Sequence, residues 1–282
     1  MLPHNEQEER VLILGASSGV GHTIAKKYAQ RGAKVCVVAR RADKIKALEA
    51  ECGKECLGQV ADMTVVEDMV RVRDAISAAW GGLDTIHVCA GVSALQPILS
   101  LAGSSSVGED AGAEGIQAAV DIAGRAVQGN FNGPLVAALT FIPMLERTSS
   151  SPSILLVSSL AALVPAPTRA LYAATKASSL LLYQALAIEH PRVAFTFVLP
   201  STIEGNFRAS AVDSGPVREA DPNKYGLKTE YVAARCIGAV DRRETGSIVL
   251  PWFPNMLGHH LYYVWPSFVE RIAAKKYNFK AA

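Results

Sequence analysis

A chain of 282 residues, half of them hydrophobic and 22 of them glycine, is long enough to bury a large core within one domain. Its formal net charge of +2 comes from scattered basic residues without the clustering of a nucleic-acid binder, so no nucleic-acid partner is expected. Five cysteines (Cys36, Cys52, Cys56, Cys89, Cys236) contain no CxxC pair. They suggest neither a disulfide framework nor a zinc site, and a reducing, cytoplasmic compartment is the simplest expectation.

Residues 1–10 are polar and acidic, without the charged-then-apolar order of a secretion signal. Strands are predicted at 11–15 (VLILG), 34–39 (KVCVVA), 85–90 (TIHVCA), 153–159 (SILLVSS) and 193–200 (VAFTFVLP). They are apolar throughout rather than alternating, as strands covered on both faces are. Helical periodicity falls between them at 20–31, 43–51, 65–80, 121–147 and 169–190. This alternation predicts an α/β doubly wound parallel sheet, a Rossmann fold. The segment 102–115, rich in Gly, Ser and acid, reads as a mobile surface insertion. No composition break divides the chain. The expectation is therefore a single domain over 1–282, with a core at 8–250 and an aromatic-rich C-terminal extension at 251–282.

The first predicted strand runs into Gly15, Gly19 and Gly21, spaced GxxxGxG, with Ser17, Ser18 and Val20 between them. Glycines there allow a tight turn and let the backbone approach a pyrophosphate at a helix start. After the second strand stand Arg40 and Arg41, with no carboxylate before Asp43. A 2′-phosphate is thereby favoured over a bare ribose, which makes NADP(H) the expected cofactor and Arg40 its expected contact. Asp62, followed by Met63, ends the third strand; it could accept from an adenine amine or cap the next helix.

Tyr172 and Lys176 lie four apart in a segment otherwise small or apolar, one helical turn from each other. A phenol has a reference pKa of about 10, and an ammonium beside it makes proton transfer to a carbonyl oxygen feasible. With the glycine loop, Asp62, "CAG" at 89–91, "NFNG" at 130–133, "VSSLAA" at 157–162 and "YAATK" at 172–176, the chain resembles the short-chain dehydrogenase/reductase family up to about residue 250. The resemblance implies that Tyr172 is the acid/base and that Lys176 tunes it and binds nicotinamide ribose. It further implies that Ser159 bonds the substrate carbonyl and that Asn130 organises a water-linked proton path. Ala90, Gly91, Pro200, Thr202 and Ile203 join the implied cofactor contacts.

The chain departs from the family pattern at Val88 and Cys89, which replace paired asparagines, and at Ser201 and Gly205 in "PSTIEGNF". Substrate is expected between 160–171 and 201–226, the second acting as a lid. A hydrophobic ketone or aldehyde, or the corresponding alcohol, is the expected substrate. The run 247–267 holds three prolines and two histidines and is not expected to span a membrane. Adjacent His259 and His260 are poorly placed to share one metal, and none is predicted. The aromatic tail suggests packing on its own domain or on a partner subunit, or else peripheral contact with an intracellular membrane. The uncharged helix at 131–146 suggests a homodimer or homotetramer. Two other functions are weighed: a non-catalytic NADP(H)-binding sensor or scaffold, and a membrane-surface reductase of lipid or steroid ketones.

Overall fold

A computed structural model of the chain describes residues 9–104, 110–218 and 221–279. Seven strands, β1 (Arg10–Leu14), β2 (Lys34–Ala39), β3 (Cys56–Val60), β4 (Thr85–Val88), β5 (Ser153–Val157), β6 (Ala194–Pro200) and β7 (Gly246–Leu250), form one parallel sheet in the order β3-β2-β1-β4-β5-β6-β7. The order reverses between β1 and β4, opening a crevice at the strands' C-terminal ends. In the first half, α1 (Gly19–Gln30), α2 (Ala42–Cys52) and α3 (Val66–Trp80) alternate with the strands. They are followed by a short α4 (Ile98–Leu101), then α5 (Ala113–Val127) and α6 (Gly133–Thr148). The second half holds α7 (Ala170–Glu189), a short α8 (Pro222–Tyr225), α9 (Thr229–Asp241), α10 (Trp252–Val264) and α11 (Pro266–Lys276).

The apolar strands feed two cores because successive side chains leave the sheet on opposite faces. Leu12, Leu14, Cys36 and Val38 pack against Met69, Val72 and Ile76 of α3, Phe141 and Leu145 of α6, and Leu180 and Tyr183 of α7. Val11, Ile13, Val35 and Val37 pack against Ile24, Ala25 and Tyr28 of α1, Leu48 of α2, and Val232, Cys236 and Ile237 of α9. Each large side chain fully buried this way contributes roughly 1.5–3 kcal/mol. Helix ends follow local chemistry as well: α3 stops at Gly81, left-handed at φ +69, whose N–H donates to the Ser77 carbonyl.

The expected elements need three corrections. The helix predicted at 121–147 starts at Ala113 and is broken by a π-helical turn, Gln128–Asn132, into α5 and α6. Of the predicted insertion 102–115, residues 105–109 lie outside the described residues and 113–115 are the first turn of α5. The strands β3 (CLGQV) and β7 (GSIVL) had no predicted range. Both are sheet edges, less buried and therefore less apolar than the strands between them.

Candidate active site

Gly15 follows β1 at φ +92, and a Cβ there would lie 2.6 Å from the Ala90 backbone nitrogen. A Cβ at Gly21 would meet the Gly15 carbonyl at 2.4 Å. Only glycine fits at either position, so the loop lies flat against the end of β4. Ser18 at the N-cap of α1 makes no side-chain cap bond, which leaves first-turn amides available to an anion. A cleft of about 1240 Å³ runs from this loop along the strands' C-terminal ends to α10 and α11.

At the β2 end of the cleft the two arginines divide. Arg41 donates to the Ser17 hydroxyl at 2.8 Å, the Ser18 hydroxyl at 3.0 Å and the Ser17 carbonyl at 3.2 Å, so its guanidinium lies over the glycine loop. Arg40, 70% exposed in its side chain, stands 3.6 Å from an Asp62 carboxylate oxygen. Such an exposed pair holds it only weakly. Asp62 also accepts from the Thr64 amide at 2.9 Å, while the N-cap of α3 is Val65. Of its two expected roles, Asp62 therefore does not take the helix cap.

The chemical groups come from three places: the π turn (Asn130), just past the end of β5 (Ser159) and α7 (Tyr172 and Lys176). Asn130 is held by the π turn, 1% exposed; its Oδ1 accepts from the Val92 amide at 2.8 Å. Its Nδ2 donates to the Val92 carbonyl and to Thr175 Oγ1, each at 3.0 Å. The side chain thus ties the loop after β4 to α7. Lys176 Nζ donates to the Val157 carbonyl at 3.0 Å and keeps two further N–H donors. Asn130 Oδ1 and Lys176 Nζ meet beside Gly91, 2.9 Å and 3.2 Å from where its Cβ would stand. Ser159 Oγ accepts from the Ala161 amide at 3.2 Å, which leaves its O–H to donate elsewhere. Its neighbour Ser158 is buried and donates to the Lys176 carbonyl. The Tyr172 ring is 8% exposed, packed beneath the Arg169 guanidinium at 4.3 Å and beside Phe207 at 6.0 Å.

The departures from the family pattern have local replacements. Where a strand-bracing asparagine is missing, the Cys89 and Ala90 amides both donate to the Leu14 carbonyl at 2.9 Å and so tie β4 to β1. Burial pushes the Cys89 thiol up to about 12, against the opposing pull of Lys176, so it is a neutral part of the wall. After β6, the Ser201 amide donates to the Leu250 carbonyl, and Ile203 bridges Leu227. The segment that follows is latched to the loop after β4: the buried Asp213 accepts from the Leu95, Gln96 and Gly215 amides.

Every predicted cofactor contact, from Gly15 and Ser17 to Thr202 and Ile203, lines the cleft, as do Ser159, Tyr172 and Lys176. Asn130 stands behind the wall. Two groups of lining residues were not foreseen. The sequence favours Arg40, but nothing in a two-residue run tells which side chain turns toward the loop, and it is Arg41 that does. Leu257, Leu261, Phe268 and Val269 of α10 and α11 also close the cleft, though the tail's aromatic content alone did not distinguish lining from exposed faces. Among the described residues, no group of His, Cys, Asp and Glu is placed to hold a metal.

A family model described as short chain dehydrogenase matches residues 9–214. The chain belongs to that family, the short-chain dehydrogenases/reductases, which are oxidoreductases using NAD(P)-type cofactors. It is 33% identical over 199 residues to an 11-beta-hydroxysteroid dehydrogenase-like 4A of Arabidopsis thaliana, covering 69% of this chain and 60% of that protein. Less than two thirds of the plant protein's length is therefore matched. A dehydrogenase/reductase SDR family protein 7-like of Dictyostelium discoideum is 24% identical over 284 residues, covering 97% of this chain and 83% of that protein. The fold matches a short chain dehydrogenase/reductase from Burkholderia phymatum solved with NAD, at a TM-score of 0.77 and 17% identity, over 94% of this chain and 96% of that one.

Proposed function

We propose that the protein is an NADP(H)-dependent oxidoreductase that interconverts a hydrophobic ketone or aldehyde and its alcohol. The observation that carries this reading is that Asn130 of the π turn meets Lys176 beside Gly91, Lys176 standing one turn beyond Tyr172 on the helix that lines the cleft. A sensor or scaffold would have no need of that set. Gly15, Gly19 and Gly21 bring the backbone close to a pyrophosphate, and Arg41 with Arg40 supplies charge for a 2′-phosphate. The nicotinamide, when bound, supplies or accepts the hydride.

In the reducing direction the Tyr172 hydroxyl gives its proton to the carbonyl oxygen, while Ser159 donates a hydrogen bond to the same atom as charge develops there. Lys176 stabilises the phenolate left behind and holds a ribose hydroxyl. Asn130 keeps Val92 and Thr175 in register around them, next to the proton's way out. Leu160, Val164, Phe207, Leu257, Leu261 and Phe268 supply an apolar wall at the substrate end, which favours a hydrophobic substrate and limits water.

A specific surface favours the membrane-facing form of this reading. Trp252, Phe253, Tyr263 and Val264 of α10, which helps to close the cleft, and Trp265 at its end are each more than half exposed. Arg271 and Lys275 of the following helix, α11, are exposed as well. Amphipathic aromatics beside basic residues suit the interfacial layer of an anionic membrane, from which a lipid or steroid ketone would enter.

The test is titration of the protein with NADPH and NADH by fluorescence, followed by a panel of steroid, lipid, aromatic and short-chain ketones under NADPH oxidation. Preferential NADPH binding with turnover of an apolar ketone is expected. Tight binding without turnover would shift the reading to a sensor, and equal binding of both nucleotides would remove the 2′-phosphate role.

A further inference from the structure

Helix α7 begins against two local preferences. Thr168, the residue before its N-cap, is buried and left-handed at φ +65, a conformation costly for a β-branched side chain. The N-cap itself is Arg169, a buried cation at the positive end of a 20-residue helix, where an oxygen-bearing side chain is favoured. Such departures persist where the direction of a side chain matters. Here the Arg169 guanidinium lies over the Tyr172 ring, 4.3 Å from its centre, while its Nη2 donates to the Ser93 hydroxyl at 3.0 Å. Ser93 is a junction. It is fully buried, its carbonyl accepts from the Val212 amide at 2.9 Å, and it pairs with Ala211, so the segment after β6 is seated on it. The residue before it, Val92, is fixed by Asn130 through both its amide and its carbonyl. The seated segment also brings Phe207 edge-on to the Tyr172 ring at 6.0 Å. The wall expected to face substrate is thus connected to the phenol by way of Ser93 and Arg169.

We propose that Arg169 is a positioning residue for Tyr172, coupling the orientation of the phenol to the substrate segment after β6 through Ser93. This role rests on Tyr172 being the acid/base of the proposed reaction. A tyrosine ring turns about two side-chain bonds, and a guanidinium held against its face by a buried hydroxyl removes that freedom. The hydroxyl is then already aimed when a carbonyl oxygen arrives, and alignment of a proton donor is worth rate. Because the contact acts on the donor, its loss falls on kcat rather than on KM.

Steady-state kinetics with NADPH and the best ketone of the panel, alongside NADPH titration by fluorescence, compare the native protein with Arg169→Met, Ser93→Ala and the double variant. Arg169→Met is expected to lower kcat by roughly ten- to thirtyfold, the worth of a desolvated cation–π contact, with KM and NADPH affinity within about twofold. Ser93→Ala, which removes one buried hydroxyl, is expected to lower kcat about fivefold. In the Arg169→Met background it is expected to add nothing, because the two side chains act as one unit. If Arg169→Met does not fold, Ser93→Ala decides alone. An unchanged kcat in Ser93→Ala, additive losses in the double variant, or a loss carried by KM or by NADPH affinity would overturn the proposal, while turnover by the native protein leaves the proposed reaction standing. A native protein that binds NADPH and turns over no ketone fails the proposed reaction itself, and the role of Arg169 with it.

Discussion

Tyr172 carries the heaviest chemical demand of any single residue. Removing its hydroxyl leaves the ring packed between Arg169 and Phe207, so Tyr172→Phe is expected to keep NADPH affinity within about twofold. Turnover should fall by roughly 10²–10⁴, the usual worth of a positioned acid. Paired fluorescence and steady-state assays check this, and surviving activity would remove Tyr172 from the mechanism. Arg41→Ala should weaken NADPH by about tenfold or more and leave NADH nearly unchanged, a charge-assisted contact being worth roughly 1.5–3 kcal/mol. Arg40→Ala should do less, because Arg40 is the more exposed of the two and already shares Asp62. If Arg40 instead governs the preference, the bonds from Arg41 to Ser17 and Ser18 hold the loop and nothing more. The site was readable from the sequence where each residue type has one plausible task, as at Gly15, Tyr172 and Lys176. It was unreadable where two neighbours of one type compete, as Arg40 and Arg41 do, because side-chain direction at a strand end depends on the loop it meets.

At the level of elements, the loop after β6 is pinned to the loop after β4 by one carboxylate beside the Ser93–Ala211 bridge. Asp213→Ala removes the acceptor of three backbone amides and should free the segment, which limited trypsinolysis would report as faster cutting at exposed Arg218. Unchanged cutting would mean that the Ser93–Ala211 bridge holds the loop without it. A second element carries a pH dependence. His87 of β4, fully buried with its Nε2 3.0 Å from the Tyr28 hydroxyl, has its pKa lowered to about 3, chiefly by burial and secondarily by Arg31. It stays neutral in the fold while the unfolded chain binds its proton near pH 6.5. Stability therefore falls as pH drops from about 6.5 toward 3. His87→Gln keeps a partner for Tyr28 and should flatten that stretch of the stability curve in denaturant titrations; an identical slope would assign the acid loss to carboxylates such as Asp84. The central strands were plain in the sequence because burial on both faces demands unbroken apolar runs. The π turn at Gln128–Asn132 was not, since one wide turn barely disturbs helical periodicity while shifting the face on which Asn130 falls.

For the molecule as a whole, α6 and α7 leave Leu139, Leu181 and Ile188 each at least 68% exposed. Apolar residues of that exposure suit a second copy of the chain, so sedimentation should show a homodimer or tetramer. Leu181→Arg should shift it to a monomer; a monomeric native protein would leave that face without this role. Because all seven strands run the same way, each turn that enters a strand falls on the rim remote from the cleft. None of the segments 31–33, 53–55, 81–84, 149–152, 190–193 or 242–245 lines it. The molecule thus has a rim that can be edited without touching its chemistry. A reporter domain grafted between the exposed Pro191 and Arg192 would leave every wall of the cleft in place.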